Sequence, residues 1–242
     1  MTGHPLAFGE LGFVLAVSWC ALGFASYYFL SHNKIFVSRI GILVKEFDSQ
    51  GNQVILQRML GLFFLGIVSA LLIFILPGMT LKDYGLSFSF SVLPPWWSYL
   101  LIPLILGLGS ISARKPGNLA MYPQIRQKKW TPRLLLISAI TWILFLIGYE
   151  FLFRGFLLQA SLDFMNPLPA FALNGALYAL AHAYKGPGET YGSILVGIVL
   201  CYLSLITGNI WCAVILHSIM ALSNEWLSIQ AHPDMKISIS IR

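Results

Sequence analysis

Charge is what this sequence has least of. Only 10% of its 242 residues are Asp, Glu, Lys or Arg, 57% are hydrophobic, and mean hydropathy is +0.78. Soluble domains carry about 25% charged residues, so the scarcity excludes a soluble globular protein and leaves a polytopic membrane protein. Cysteine is scarce as well. Cys20, Cys201 and Cys212 all fall in apolar stretches without paired or CxxC spacing. That excludes a disulfide framework and a Cys-type zinc site and reads as three small hydrophobes. The first 30 residues have no basic n-region and no small-residue cleavage site, so a retained first helix is expected rather than a signal peptide. Internal repeats, low-complexity tracts and heptad seams are absent too. The net charge of +6 is, in such a chain, the excess of Lys and Arg on cytoplasmic loops; no nucleic-acid partner is implied.

Long apolar runs are what the sequence has most of. Runs near the roughly 20 residues that a bilayer requires occupy 8–30, 59–77, 93–112, 134–164, 168–184, 190–206 and 209–229. They predict an all-α fold, a polytopic transmembrane helix bundle of about seven to eight helices. The run 134–164 is too long for one perpendicular span, so it must tilt, kink near Gly148 or begin as an interfacial segment. Basic residues cluster in 31–58 (Lys34, Arg39, Lys45, Arg58) and in 113–133 (Arg114, Lys115, Arg126, Lys128, Lys129, Arg133), followed by Lys185, Lys236 and Arg242. Seven spans with an outside N-terminus put all of these on the cytoplasmic side and leave Lys82 on an outside loop. The organisation reads as N-terminal helices and loops over 1–129, a core over 130–229 and a short polar tail over 230–242. The stretch from His232 to Arg242 is expected to be loosely ordered.

Within this apolar background a few polar residues stand out. Glu150 and Arg154 lie in the octet Gly148-Tyr149-Glu150-Phe151-Leu152-Phe153-Arg154-Gly155. A lone charge deep in hydrocarbon costs about 2.5–3.5 kcal/mol on insertion scales. Four residues apart on a helix, the two side chains share a face and can pair. His182 and His217 lie in the apolar segments NGALYALAHAY and CAVILHSIMAL. The hairpin between two of the spans turns near Asn166-Pro167, with Glu150 and His182 some sixteen and fifteen residues to either side. At about 1.5 Å per residue both sit roughly 23 Å from the turn, so an antiparallel pair brings them to one height. A carboxylate and two imidazoles can hold and deprotonate a water. Glu150, His182 and His217 would also suit zinc with an open position, although the HExxH signature is absent. An ion pair or satisfied core histidines would account for the same residues without chemistry.

The pattern resembles the CPBP (Abi, or type II CAAX prenyl protease) intramembrane protease family, which includes the Rce1-like endopeptidases. The first family motif, Glu-Glu-x-x-x-Arg, is matched from its second glutamate onward by Glu150 to Arg154, followed by Gly155. Its second, an aromatic residue four before a histidine, is matched by Tyr178 and His182. Its third, His-x-x-x-Asn or Asp, is matched at His217. Leu81 to Leu86 looks like the short segment often found ahead of the family core. Two positions depart: the first glutamate is replaced by Tyr149 and the Asn or Asp by Ala221. Tyr149 could donate to an oxyanion, and Asn224, seven residues after His217, could replace the amide.

The resemblance implies a multi-pass membrane endopeptidase that hydrolyses a peptide bond in a membrane-associated protein or peptide; small size and a compact single-domain layout point to a prokaryotic cell membrane. Glu150, Arg154, His182 and His217 are its implied catalytic residues, with Tyr149, Tyr178 and Asn224 in support. The two departures motivate an alternative, a catalytically impaired member that acts as a membrane scaffold or regulator. A proton or ion path ranks last, because no transporter-like inverted repeat is visible.

Overall fold

The computed structural model describes residues 8–88 and 92–238, nearly all of them in helices or the turns between helices. The helices are α1 (Phe8–His32), α2 (Lys34–Ile40), α3 (Ser49–Ile73), α4 (Trp96–Ser112), α5 (Pro116–Met121), α6 (Pro132–Phe164), α7 (Pro167–His182), α8 (Pro187–Thr207) and α9 (Trp211–Ala231). Five of them, α1, α3, α6, α8 and α9, are long and apolar enough to cross a membrane by length and composition. The chain is an integral membrane protein with an all-α fold.

Local chemistry sets the boundaries. α7 and α8 both begin on proline, where the missing N–H costs nothing. α8 ends at Gly208, which takes the left-handed conformation at φ 66°. Asn209 Oδ1 then accepts from Trp211 N at 3.0 Å and opens α9. α6 runs through Gly148 and widens into a π-turn over Phe151–Leu157.

By internal contacts the chain forms two compact units. The first comprises Met1–Ser26, Gly61–Pro94 and Ile147–Ala213. Here α3 and α6 meet at glycines: a Cβ on Gly66 would lie 2.8 Å from Gly148 Cα, so the two backbones touch. Gly148 is therefore a point of close approach. Leu158, Ala170 and Cys201 form a buried cluster against Leu162, Met165 and Phe171. The turn from Thr80 to Leu86 docks on α6, with the Tyr84 ring 5.8 Å from that of Phe156. Gly85 O accepts from Ile210 N at 3.2 Å. Thr80 gives its hydroxyl and its backbone N–H to Asp83, at 2.6 and 2.8 Å, which holds that carboxyl below its ordinary range.

The second unit comprises Tyr27–Leu60, Pro95–Leu146 and Val214–Arg242. Its core is Phe47, Val54, Ile55, Ile125, Trp130, Leu134, Ile229 and Met235. Two sequence expectations are corrected here. The tail from His232 was expected to be loose, but β2 (Lys236–Ile237) pairs in parallel with β1 (Lys129–Trp130). Burial of Met235 beside Trp130 brings the tail to that edge; residues 239–242 lie outside the described residues. Arg58 was assigned to a cytoplasmic connection, but α3 starts at Ser49, where Asp48 Oδ1 accepts from Gly51 N at 2.7 Å as a helix cap. Arg58 is thus within a spanning helix and only 2% exposed.

Arg58 is densely bonded. It donates to Ser138 O and Oγ at 3.0 Å, Thr141 Oγ1 at 3.2 Å, Gln124 Oε1 at 3.2 Å and Glu225 Oε1 at 3.4 Å. Its guanidinium also lies 4.5 Å from the centre of the Trp142 ring. Glu225→Ala should therefore cost about 1.5–3 kcal/mol for each of the two charged hydrogen bonds its carboxylate accepts, from Arg58 Nη2 and, at 3.2 Å, from Gln124 N. The other acceptors and the ring remain, so the guanidinium is not stranded. Unfolding of the full chain in detergent measures this; a cost above that of the two bonds together would mean that Arg58 depends on the carboxylate alone.

Candidate active site

The first unit brings five of the sequence-nominated residues together. Tyr149, Glu150 and Arg154 come from α6, and Tyr178 and His182 from α7. Glu150 and Arg154 are fully buried and form an ion pair, Arg154 Nη1 to Glu150 Oε2 at 3.3 Å. Arg154 Nη2 donates to Gly197 O of α8 at 3.3 Å. Its guanidinium carbon lies 4.1 Å from the centre of the Tyr178 ring, a cation–π contact strengthened where water is excluded. Gly197 keeps α8 close: a Cβ there would come within 3.2 Å of Tyr178 Cδ1 and 3.5 Å of Arg154 Nη2.

Tyr149 makes the contact with His182, its hydroxyl 3.4 Å from His182 Nδ1. The same nitrogen is 2.9 Å from Tyr178 O. A carbonyl can only accept, so Nδ1 carries the proton and donates it to Tyr178 O. The lone pair of the neutral imidazole then sits on Nε2. The Tyr149 oxygen acts as a second, longer acceptor for that N–H. The Tyr178 and His182 rings are 4.6 Å apart, those of Tyr149 and Tyr178 5.6 Å and those of Tyr149 and His182 6.0 Å, so the imidazole and the two phenols form one cluster.

The π-turn builds the local geometry. Such single turns recur at functional sites because they displace backbone groups from the regular ladder. Phe153 O accepts both from Leu158 N and from Asn174 Nδ2, the latter at 2.6 Å. Cys201 Sγ in turn donates to Asn174 Oδ1 at 3.1 Å. Asn174 is fully buried and ties α7 and α8 to the turn that carries Arg154. It was missed in the sequence reading, although an isolated amide inside an apolar helix is the kind of signal that marks such a residue.

His217 and Asn224 lie on α9 in the second unit. His217 is 8% exposed, and Asn224 Oδ1 is buried without a hydrogen-bond partner among the described residues. Glu225, next to Asn224, is the partner of Arg58. Among the described residues no three His, Cys, Asp or Glu side chains are gathered as a metal-ligand set.

Residues 129–223 match the family described as type II CAAX prenyl endopeptidase Rce1-like. That stretch contains Tyr149, Glu150, Arg154, Tyr178, His182 and His217. Neither the curated proteins nor the solved structures yield a match.

Proposed function

We propose that this chain, with its CAAX-protease-like domain, is an intramembrane endopeptidase that hydrolyses a peptide bond of a membrane-associated protein or peptide. The observation that carries the reading is the His182 ring. Its Nδ1 is fixed by Tyr178 O, its lone pair is on Nε2, and the Tyr149 hydroxyl lies beside it. A neutral imidazole in that state is a general base. His182 Nε2 takes a proton from water as the hydroxide oxygen bonds to the scissile carbonyl carbon. Tyr149 O–H donates to the oxyanion that forms. The imidazolium then returns the proton to the leaving nitrogen as the C–N bond breaks. Glu150 is bound to Arg154, so its part is to keep a negative charge near the imidazolium and to hold Arg154. His217 is assigned to the chemistry through the family motif alone.

A second reading has its own observation: the residue one position before Glu150 that rests against His182 is a phenol, Tyr149. In that reading the chain binds a membrane protein without hydrolysing it. The full chain in detergent, incubated with a peptide library and read by mass spectrometry, separates the two. Cleavage by the parent that is lost in His182→Ala, His217→Ala and Glu150→Ala supports the endopeptidase. No cleavage by the parent, with one membrane protein captured equally by parent and variants, supports the scaffold. Cleavage that persists in all three variants overturns the assigned site, and cleavage abolished by a chelator and restored by zinc overturns the metal-free mechanism.

A further inference from the structure

The segment between α1 and α3 exposes both hydrocarbon and positive charge. In the second unit, α2 carries Lys34, Ser38 and Arg39 on one side and Phe36, Val37 and Ile40 on the other, and no residue of it is buried. A seven-residue helix is marginal in water. Asn33 caps this one, its Oδ1 accepting from Phe36 N at 3.0 Å. Gly41, at φ 72°, then turns the chain and presents Ile42 and Leu43, which are 71% and 45% exposed. That presentation is built from within. Buried Asn52 accepts from Leu43 N and Val44 N at 2.8 and 2.7 Å and donates to Val44 O, Phe47 O and Asp48 O. A rigid bracket thus displays an apolar pair that water disfavours.

The charges are sorted as well. Lys34, Arg39 and Lys45 are exposed and form no ion pair among the described residues. The two nearby carboxylates are engaged: Glu46 pairs with Arg133 at 2.6 Å, and Asp48 caps α3. In sequence the segment joins two helices long and apolar enough to span a membrane, Gly9–His32 and Ser49–Ile73.

We infer that Lys34–Lys45 is an interfacial anchor that binds anionic phospholipid headgroups. Ile40, Ile42 and Leu43 enter the acyl boundary, and Lys34, Arg39 and Lys45 meet lipid phosphates. Short amphipathic segments of this composition sit in that layer, and each basic residue there contributes about 1 kcal/mol, roughly fivefold, toward anionic lipid.

The test uses the full chain in vesicles of phosphatidylcholine, with and without phosphatidylglycerol. A fluorophore is placed at Ile42→Cys in a Cys212→Ala background; Cys20 and Cys201 are buried and inert to labelling. Quenching by lipid-borne bromine rather than aqueous iodide is expected. Enrichment of phosphatidylglycerol among lipids retained by the purified protein should fall by roughly tenfold or more when Lys34, Arg39 and Lys45 are all changed to Gln, and should fade at high salt. Quenching by iodide alone overturns the inference and assigns the surface to water or to a protein partner. Unchanged enrichment in the triple variant overturns the anionic preference.

Discussion

Changing His182 to alanine is expected to lower kcat of peptide cleavage by about 10²–10⁴-fold, the usual contribution of a positioned general base. The loss should fall on kcat, with KM little changed, because the imidazole is asked to act on water in the transition state and not to bind the substrate. Tyr149→Phe removes one hydroxyl from the same place. If that hydroxyl serves the oxyanion, the loss is about 10²–10³-fold, the measured range for one such donor, and again in kcat. A purely structural role predicts otherwise. His182 Nδ1 holds Tyr178 O at a helix end, and losing that bond alone costs stability by about 0.5–1.5 kcal/mol without a selective effect on kcat. Rate measurements on the two variants, beside their unfolding in detergent, decide between these outcomes. Unaltered kcat in His182→Ala removes His182 from the chemistry.

How far the sequence foretold this arrangement can be judged at single residues. The hairpin count put Glu150 and His182 at one height, and Tyr149, one position before Glu150, meets His182. It could not say which of two neighbouring residues makes the contact. They differ by about 100° on a helix, and the orientation of α6 is set by packing: the Gly66–Gly148 approach and the docking of the Tyr84 turn on Gly155. The π-turn was illegible for the same reason. Apart from Arg154 and Gly155, Phe151 to Leu157 is an apolar run, and nothing in its periodicity registers the amide that Asn174 brings from another helix. The seven apolar runs each became helix because hydropathy over some 20 residues is a strong local signal. Arg58 escaped because Gln50, Asn52 and Gln53 lower the hydropathy of the first turns of α3, while the partners that make it part of a buried network are 66 to 167 residues away.

The Glu150–Arg154 pair carries the second large expectation. Glu150→Ala should destabilise the full chain by about 3–5 kcal/mol, the cost of leaving a buried charge without its partner. Arg154 has little else to turn to. Its other contacts are one carbonyl at 3.3 Å, the face of Tyr178, the Phe153 ring at 5.8 Å and the Cys201 thiol, all neutral, and its Nε has no hydrogen-bond partner among the described residues. This sets it apart from Arg58, which keeps several neutral acceptors when its carboxylate goes. The double change Glu150→Ala with Arg154→Ala should be milder than the sum of the single changes, because it removes both charges from the apolar interior; a coupling of about 1–3 kcal/mol is expected for residues in direct contact. Reversible unfolding of the four proteins in mixed micelles measures the cycle. If the single changes simply add, the ion pair is not what holds α6 in this geometry. If Glu150→Ala keeps its stability yet loses cleavage, the carboxylate acts on the reaction itself rather than through Arg154, and the general-base role assigned to His182 would have to be shared with it.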